Sequence, residues 1–148
     1  MLVLCNRISH LNLLSDFFRK FGLDFYELQG KTPLGVRTEA IQKIRKSGRG
    51  IILATKIFDV GVDIPALNSL VLAGGGKAPI TLRQKIGRGL RVKEGENIVH
   101  VFDFMNVSAG LLAKHCLERW EVYENEKFEI VPEDNFNELI ERIETGRL

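Results

Sequence analysis

The sequence predicts an α/β fold in which a mostly parallel central sheet is flanked by helices. Short apolar runs alternate with amphipathic stretches of helical period from the first residues onward, as when strands are joined by crossover helices. The runs Leu2–Cys5, Ile51–Ala54 and Ser69–Ala73 read as strands buried in a parallel sheet. At 148 residues and 45% hydrophobic content, the chain suits one globular domain with one core.

Taken in order, Leu2–Cys5 is a buried strand, and Ser9 is placed to cap a helix carrying Leu11, Leu14, Phe18 and Phe21 at helical spacing, stopped by Gly22. Phe25–Leu28 is a short strand ending at Gln29-Gly30. Thr32-Pro33 then turns into a helix with Ala40, Ile41 and Ile44 on one face, closed by Gly48 and Gly50. The strands at 51–54 and 69–73 are separated by a loop containing Gly61 and Pro65. Thr81–Leu90 forms a short helix and Ile98–Phe102 a strand. An amphipathic helix over 108–124, a short strand at Phe128–Val131 and a last helix over 135–144 complete the chain. With no internal repeat or linker, the expected organisation is a single domain over 1–148, with 108–148 a helical C-terminal extension.

The charged fraction of 27% and the absence of any apolar run near the ~20 residues that span a bilayer argue against disorder and against a membrane protein. Leu2–Cys5 is too short for a signal segment, and a chain that enters its first strand without a lead-in suits a piece of a longer polypeptide. Cys5 and Cys116 lack ligand spacing, so a cytoplasmic, reducing setting is expected. His10, His100 and His115 are scattered, so no metal site is expected either. The net charge of +2 is too small to name a partner. Basic residues do gather at Lys43, Lys46 and Arg49, and again at Arg83, Lys85, Arg88, Arg91 and Lys93, where a solvated face is the ordinary alternative.

Gln84, Arg88 and Arg91 sit at i, i+4 and i+7, which puts an amide and two guanidiniums on one helix face, with Gly87 and Gly89 permitting close approach. Such a face suits a triphosphate, because guanidinium reaches phosphate oxygens bidentately and keeps its charge as charge develops during transfer. The competing reading is a surface helix with solvated arginines. A second segment, Ala54 to Pro65, follows a strand at its carboxyl end, where open α/β sheets bind ligands. There Thr55 offers a hydroxyl and an N–H to phosphate, Gly61 admits the backbone, and Asp63 can accept from a ribose hydroxyl or hold an arginine. An ordinary strand-to-loop turn with a capping Asp is the alternative.

Together these segments resemble motifs V and VI of the superfamily 2 helicases, A-T-x-x-x-x-x-G-x-D-I-P followed by Q-x-x-G-R-x-x-R. Val3-Leu4-Cys5-Asn6-Arg7 is similar to motif IV, and Gln29-Gly30 to motif IVa. The resemblance covers about 2–104, the second RecA-like domain of that family. It implies a three-layer RecA-like fold, with Gly61, Asp63, Gln84, Arg88 and Arg91 at ATP, and Arg88 and Arg91 acting on the transferred phosphate. It further implies that Asn6, Arg7, Gly30 and Thr55 touch a nucleic-acid backbone. Gln29 joins them as part of the same motif, and Lys56 on charge. Such contacts are independent of sequence and weaken with salt.

Motif VI opens on Gln84 where His is usual, and Lys56 stands where DEAD-box RNA helicases commonly carry Asp. Both tilt the resemblance toward DNA translocases of the branch-migration, repair and restriction types. The tail from 118 to 131 is similar to endings of repair and recombination helicases. In it Trp120 and Tyr123 can stack on bases, but as i and i+3 of an amphipathic helix they read first as packing. No phosphate loop or acidic magnesium box is present, and Gly74-Gly75-Gly76-Lys77 lacks the spacing and the hydroxyl residue. The expected function is therefore the second motor domain of an ATP-dependent DNA helicase or translocase, inactive without the first domain, which holds most of the ATP and Mg2+. The alternative is a non-catalytic module that binds nucleic acid or a partner. A complete, unrelated nucleotide enzyme lacks any nucleophile, base or metal set.

Overall fold

In the computed structural model, which describes residues 1–55, 68–74, 98–105 and 110–131, the first apolar run becomes the central strand of a five-stranded sheet. Strand β1 (Leu2–Cys5) leads through α1 (Ile8–Lys20) to β2 (Tyr26–Leu28), then through α2 (Leu34–Ser47) to β3 (Ile52–Thr55). Strands β4 (Ser69–Leu72) and β5 (His100–Asp103) and helix α3 (Gly110–Asn125) follow. The spatial order is β2-β3-β1-β4-β5, and every pair is parallel.

Registers are continuous, so Leu28, Ala54, Leu4, Leu72 and Asp103 lie level across the sheet. All four residues of β1 and of β3 are buried, because both faces are covered and no polar alternation is called for. Val3, Cys5 and Leu53 form one core face with Leu11 of α1, joined by Leu14, Phe18 and Phe25. Chain travel reverses between the connection to β2 and the connection to β3. With the right hand that nearly all such crossovers take, α1 and α2 fall on opposite faces. Strand β5 is at an edge and alternates instead, with His100 and Phe102 exposed.

Ser9 does not cap α1. The N-cap is Arg7, in extended backbone and without a side-chain cap bond, so the helix begins two residues earlier than a cap at Ser9 would set it. At the other end Gly22, at φ +65°, closes a Schellman motif in which Gly22 N donates to Arg19 O and Leu23 N to Phe18 O. The helix stops at Lys20, so Phe21 leaves the core face and lies exposed against Phe17, with ring centroids 4.6 Å apart. Helix α2 ends on Gly48 at φ +69°, where the sequence placed its stop.

The described residues form two compact units, one holding the five strands with α1 and α2, the other holding α3 and Phe104. In the second, α3 buries Ala113, Cys116, Arg119 and Val122. The buried guanidinium of Arg119 donates to Phe104 O at 3.2 Å and His115 O at 3.3 Å. Residues 128–131 are not a strand. Instead Lys127 N donates to Glu124 O and Phe128 N to Tyr123 O, a second Schellman closure that swings the Phe128 ring to 6.1 Å from that of Tyr123. The left-handed position here is held by Lys127 at φ +55°. Removing its Cβ in Lys127→Gly should relieve ~1–2 kcal/mol of strain against ~0.5–1 kcal/mol of added chain entropy. A melting temperature raised by roughly 2 °C is the expected calorimetric result, and a lowered one would mean that the side chain holds the turn. The proposed helices over 81–90 and 135–144 lie outside the described residues. Among the described residues no helix is long and apolar enough to cross a membrane.

Candidate functional site

Because the strands end level, the loops after β2, β3 and β1 leave the sheet side by side on its carboxyl edge. This edge carries Gln29 and Gly30 after β2, Thr55 at the end of β3, and Asn6 and Arg7 after β1. Asn6, Arg7 and Gly30 are exposed, Gln29 is half-buried and Thr55 is buried at the level of Cys5. Five of the residues singled out from the sequence are thus brought to one edge. Lys56, Gly61, Asp63, Gln84, Arg88 and Arg91 lie outside the described residues.

The chain leaves β1 toward β2 and leaves β4 toward β5, so the point of opposite departure lies between β1 and β4. Gly74, just past β4, presses on the β1–α1 corner there. A Cβ on it would come within 2.8 Å of Asn6 N and 2.7 Å of Asn6 Cγ, closer than real atoms approach. Helix α1 starts at this corner with no acidic residue in its first turn, so the positive end of its dipole and the Arg7 guanidinium act together on the edge.

The loop after β2 is held from two directions. Its turn closes through Thr32 N donating to Gln29 O at 2.9 Å and Gln29 N donating to Thr32 Oγ1 at 2.8 Å. From α2, the buried Arg37 donates to three carbonyls, Thr32 O at 2.8 Å, Gln29 O at 3.1 Å and Gly30 O at 2.7 Å. A planar fork with five N–H donors suits this task, and lysine could not span the three acceptors. From β2, Glu27 Oε1 accepts from Gln29 Nε2 at 2.7 Å, while Glu27 Oε2 accepts from Ser15 Oγ at 2.6 Å and from Arg19 Nη2 at 3.4 Å. The side chain of Gln29 is therefore tied back to its own strand, and through Glu27 to α1.

Arg37, Glu27, Ser15 and Gly74 were not singled out from the sequence. Arg37 continues the buried stripe of Ala40 and Ile44 one turn toward the helix start, and a cation on an apolar stripe is the one local signal of a buried donor. Nothing local marks the other three.

The hydroxyl of Ser15 above all, then Gln29 and Arg19, hold the Glu27 carboxyl below its ordinary value, against the opposing pull of partial burial. A depressed folded-state value means stability that is present above the ordinary carboxylate range, near pH 4.3, and lost as pH falls through the lower folded value. Urea titrations between pH 7 and 3 should show Glu27→Gln losing less stability on acidification than the wild type. Parallel curves would remove Glu27 from the acid response. The Cys5 thiol is pushed up by burial, which suits a core residue rather than a nucleophile. Among the described residues no group of His, Cys, Asp and Glu is arranged to hold a metal ion.

Residues 1–93 match the family of the helicase conserved C-terminal domain. Among similar proteins, one named as helicase 22 of a Sulfolobus islandicus filamentous virus (isolate Iceland/Hveragerdi) is 30% identical over 125 residues, 84% of this chain and 22% of that protein. The mitochondrial ATP-dependent helicase irc3 of Schizosaccharomyces pombe is 35% identical over 103 residues, 70% of this chain and 17% of that one. The ATP-dependent DNA helicase uvsW of Enterobacteria phage T4 is 28% identical over 147 residues, 87% of this chain and 29% of that one. The solved structure of T4 UvsW superposes with a TM-score of 0.70 at 26% identity, covering 88% of this chain and 30% of that chain. The chain thus spans less than a third of each of these relatives. With its parallel RecA-like sheet and its match across the strands and the loops of the carboxyl edge, the chain belongs to the helicase conserved C-terminal domain family of superfamily 2.

Proposed function

We propose that this chain is the second motor domain of an ATP-dependent DNA helicase or translocase. The observation that carries the reading is the level row of loops on one sheet edge, which gathers Asn6, Arg7, Gln29, Gly30 and Thr55 where a phosphate backbone can run across them. Contacts of this kind position a strand without reading bases. Lys56, next in the chain after Thr55, is assigned to the same track on its charge. DNA rather than RNA is favoured by Gln84 opening its motif and by Lys56, and by the likeness to a protein named as a DNA helicase.

In this reading Gly61, Asp63, Gln84, Arg88 and Arg91 face ATP, whose phosphates and Mg2+ are held mainly by a preceding RecA-like domain. Two guanidiniums and an amide are the right donor set for a triphosphate. Arg88 and Arg91 neutralise charge on the phosphoryl group as the cleft closes, and reopening after hydrolysis moves the edge along the strand. This chain alone then has no hydrolytic activity. The same reading assigns a reducing, cytoplasmic setting, in keeping with Cys5 and Cys116 as buried thiols.

The test is ATP hydrolysis by a polypeptide carrying both motor domains, with single-stranded DNA, duplex DNA or RNA, beside this chain alone. Stimulation by DNA above RNA, and no turnover by the isolated chain, is the expected outcome. Absence of turnover by the two-domain polypeptide under every condition would replace the motor with a non-catalytic binding module.

A further inference from the structure

We propose that Lys31 is the phosphate-contacting side chain of the loop after β2, in place of Gln29. The inference rests on the reading of the carboxyl edge as a nucleic-acid track and names a residue that no part of that reading assigns. Gln29 is the polar residue its motif offers, yet its side-chain amide is drawn back onto its own strand and its main chain is engaged in the turn. Its backbone N–H goes to Thr32 Oγ1 at 2.8 Å and its side-chain amide to Glu27 Oε1 at 2.7 Å. Two residues on, Lys31 is exposed at the tip of the turn that Thr32 N closes on Gln29 O. Among the described residues it has no carboxylate partner. Elsewhere on the same unit Lys43 is paired with Glu39 at 2.8 Å and Arg19 with Asp16 at 3.0 Å.

The turn beneath Lys31 is also fixed before any ligand arrives. Arg37 binds the carbonyls of Gln29, Gly30 and Thr32, so the main chain on both sides of Lys31 is already ordered and little backbone entropy remains to be lost on binding. No acidic residue occupies the first turn of α2, directly after this loop, so nothing there offsets the ammonium charge. The loops after β2 and β1 are separated by β3, hence by two strand spacings of roughly 4.8 Å. The strands that lead to Lys31 and to Arg7 thus lie roughly 10 Å apart, on the order of three 3.4 Å base steps along a stacked strand. The pair forms two cationic posts on one track, with the buried Thr55 between them.

The experiment is a salt titration of binding to a fluorescently labelled single-stranded DNA of mixed sequence, using the full 148-residue chain. Lys31→Gln should lower the slope of log K against log salt by about 0.7, which is about fivefold in affinity at 0.1 M salt. Lys31→Arg should restore the slope, and Lys46→Gln, at the far end of α2, should leave it unchanged. A wild-type slope in Lys31→Gln, with the wild type binding normally, would overturn the assignment while leaving the nucleic-acid reading intact. An equal fall in Lys46→Gln would overturn it too, by showing that general charge rather than position is measured. A wild-type chain that does not bind DNA would overturn both.

Discussion

Replacing Arg91 with alanine in a polypeptide that carries both motor domains is expected to slow DNA-stimulated ATP hydrolysis by about 10³- to 10⁵-fold. The reasoning starts from charge. A phosphoryl group in transfer spreads negative charge over its equatorial oxygens, and a guanidinium held against them in a closed cleft lowers the barrier by roughly 4–7 kcal/mol. In the proposed reading Arg88 and Arg91 act together on the phosphoryl group, so loss of Arg91 leaves Arg88 to act alone. Arg91→Lys should recover little, because an ammonium supplies charge without the bidentate fork. DNA affinity, which this reading assigns to the carboxyl edge of the sheet, should stay within about twofold if the two sites are distinct. Single-turnover hydrolysis at saturating ATP separates these effects, and an undiminished rate in Arg91→Ala would remove Arg91 from the phosphate site.

The second large effect is expected at Arg37. Its guanidinium is buried and serves three main-chain carbonyls of one loop. Arg37→Ala removes all three charge-assisted bonds and leaves a gap where α2 meets the loop, a loss of roughly 2–4 kcal/mol because some of the freed carbonyls regain water. The melting temperature should fall by roughly 10 °C. Arg37→Lys should lie between, since an ammonium reaches one or two of the acceptors. Amide exchange at residues 29–32 should quicken in both variants before global unfolding does, because the loop loses its support before the sheet loses its core. Unchanged melting in Arg37→Ala would mean that water replaces the arginine at no cost, and that the loop is set by its own turn.

Much of the architecture was legible because it is written in local pattern. Continuous apolar runs marked the buried strands, and Gly22 and Gly48 marked helix stops that the structure reproduces at positive φ. Strand order and register were not legible, since nothing within Leu2–Cys5 says that its neighbours are Ile52–Thr55 and Ser69–Leu72. The two local misreadings have local causes. Ser9 is a good capping residue, but the helix begins at Ile8 and so takes Ser9 into its first turn. Phe128 and Ile130 alternate like a strand, but the closure of α3 on Tyr123 takes up Phe128 first.

The site was legible as a set of positions and not as a set of bonds. Asn6, Arg7, Gln29, Gly30 and Thr55 do share one edge. That Gln29 spends its amide on Glu27 depends on α1 bringing Ser15 and Arg19 to the same carboxylate, a tertiary fact invisible from spacing. Arg37 left a local signal in its place on the stripe with Ala40 and Ile44, but the three loop carbonyls that it serves are again a tertiary fact.

The central position of β1 also governs the order in which the fold can assemble. Leu2–Cys5 pairs on one side with Ile52–Thr55 and on the other with Ser69–Leu72, so during synthesis this strand waits for partners made much later. Until they arrive, four apolar residues with unpaired main chain stand open to any other edge, and every pairing they await is parallel and distant in sequence. Such chains fold slowly and pass through a stage prone to aggregation. Yield in expression should therefore track temperature and synthesis rate more closely than it tracks the stability of the finished domain.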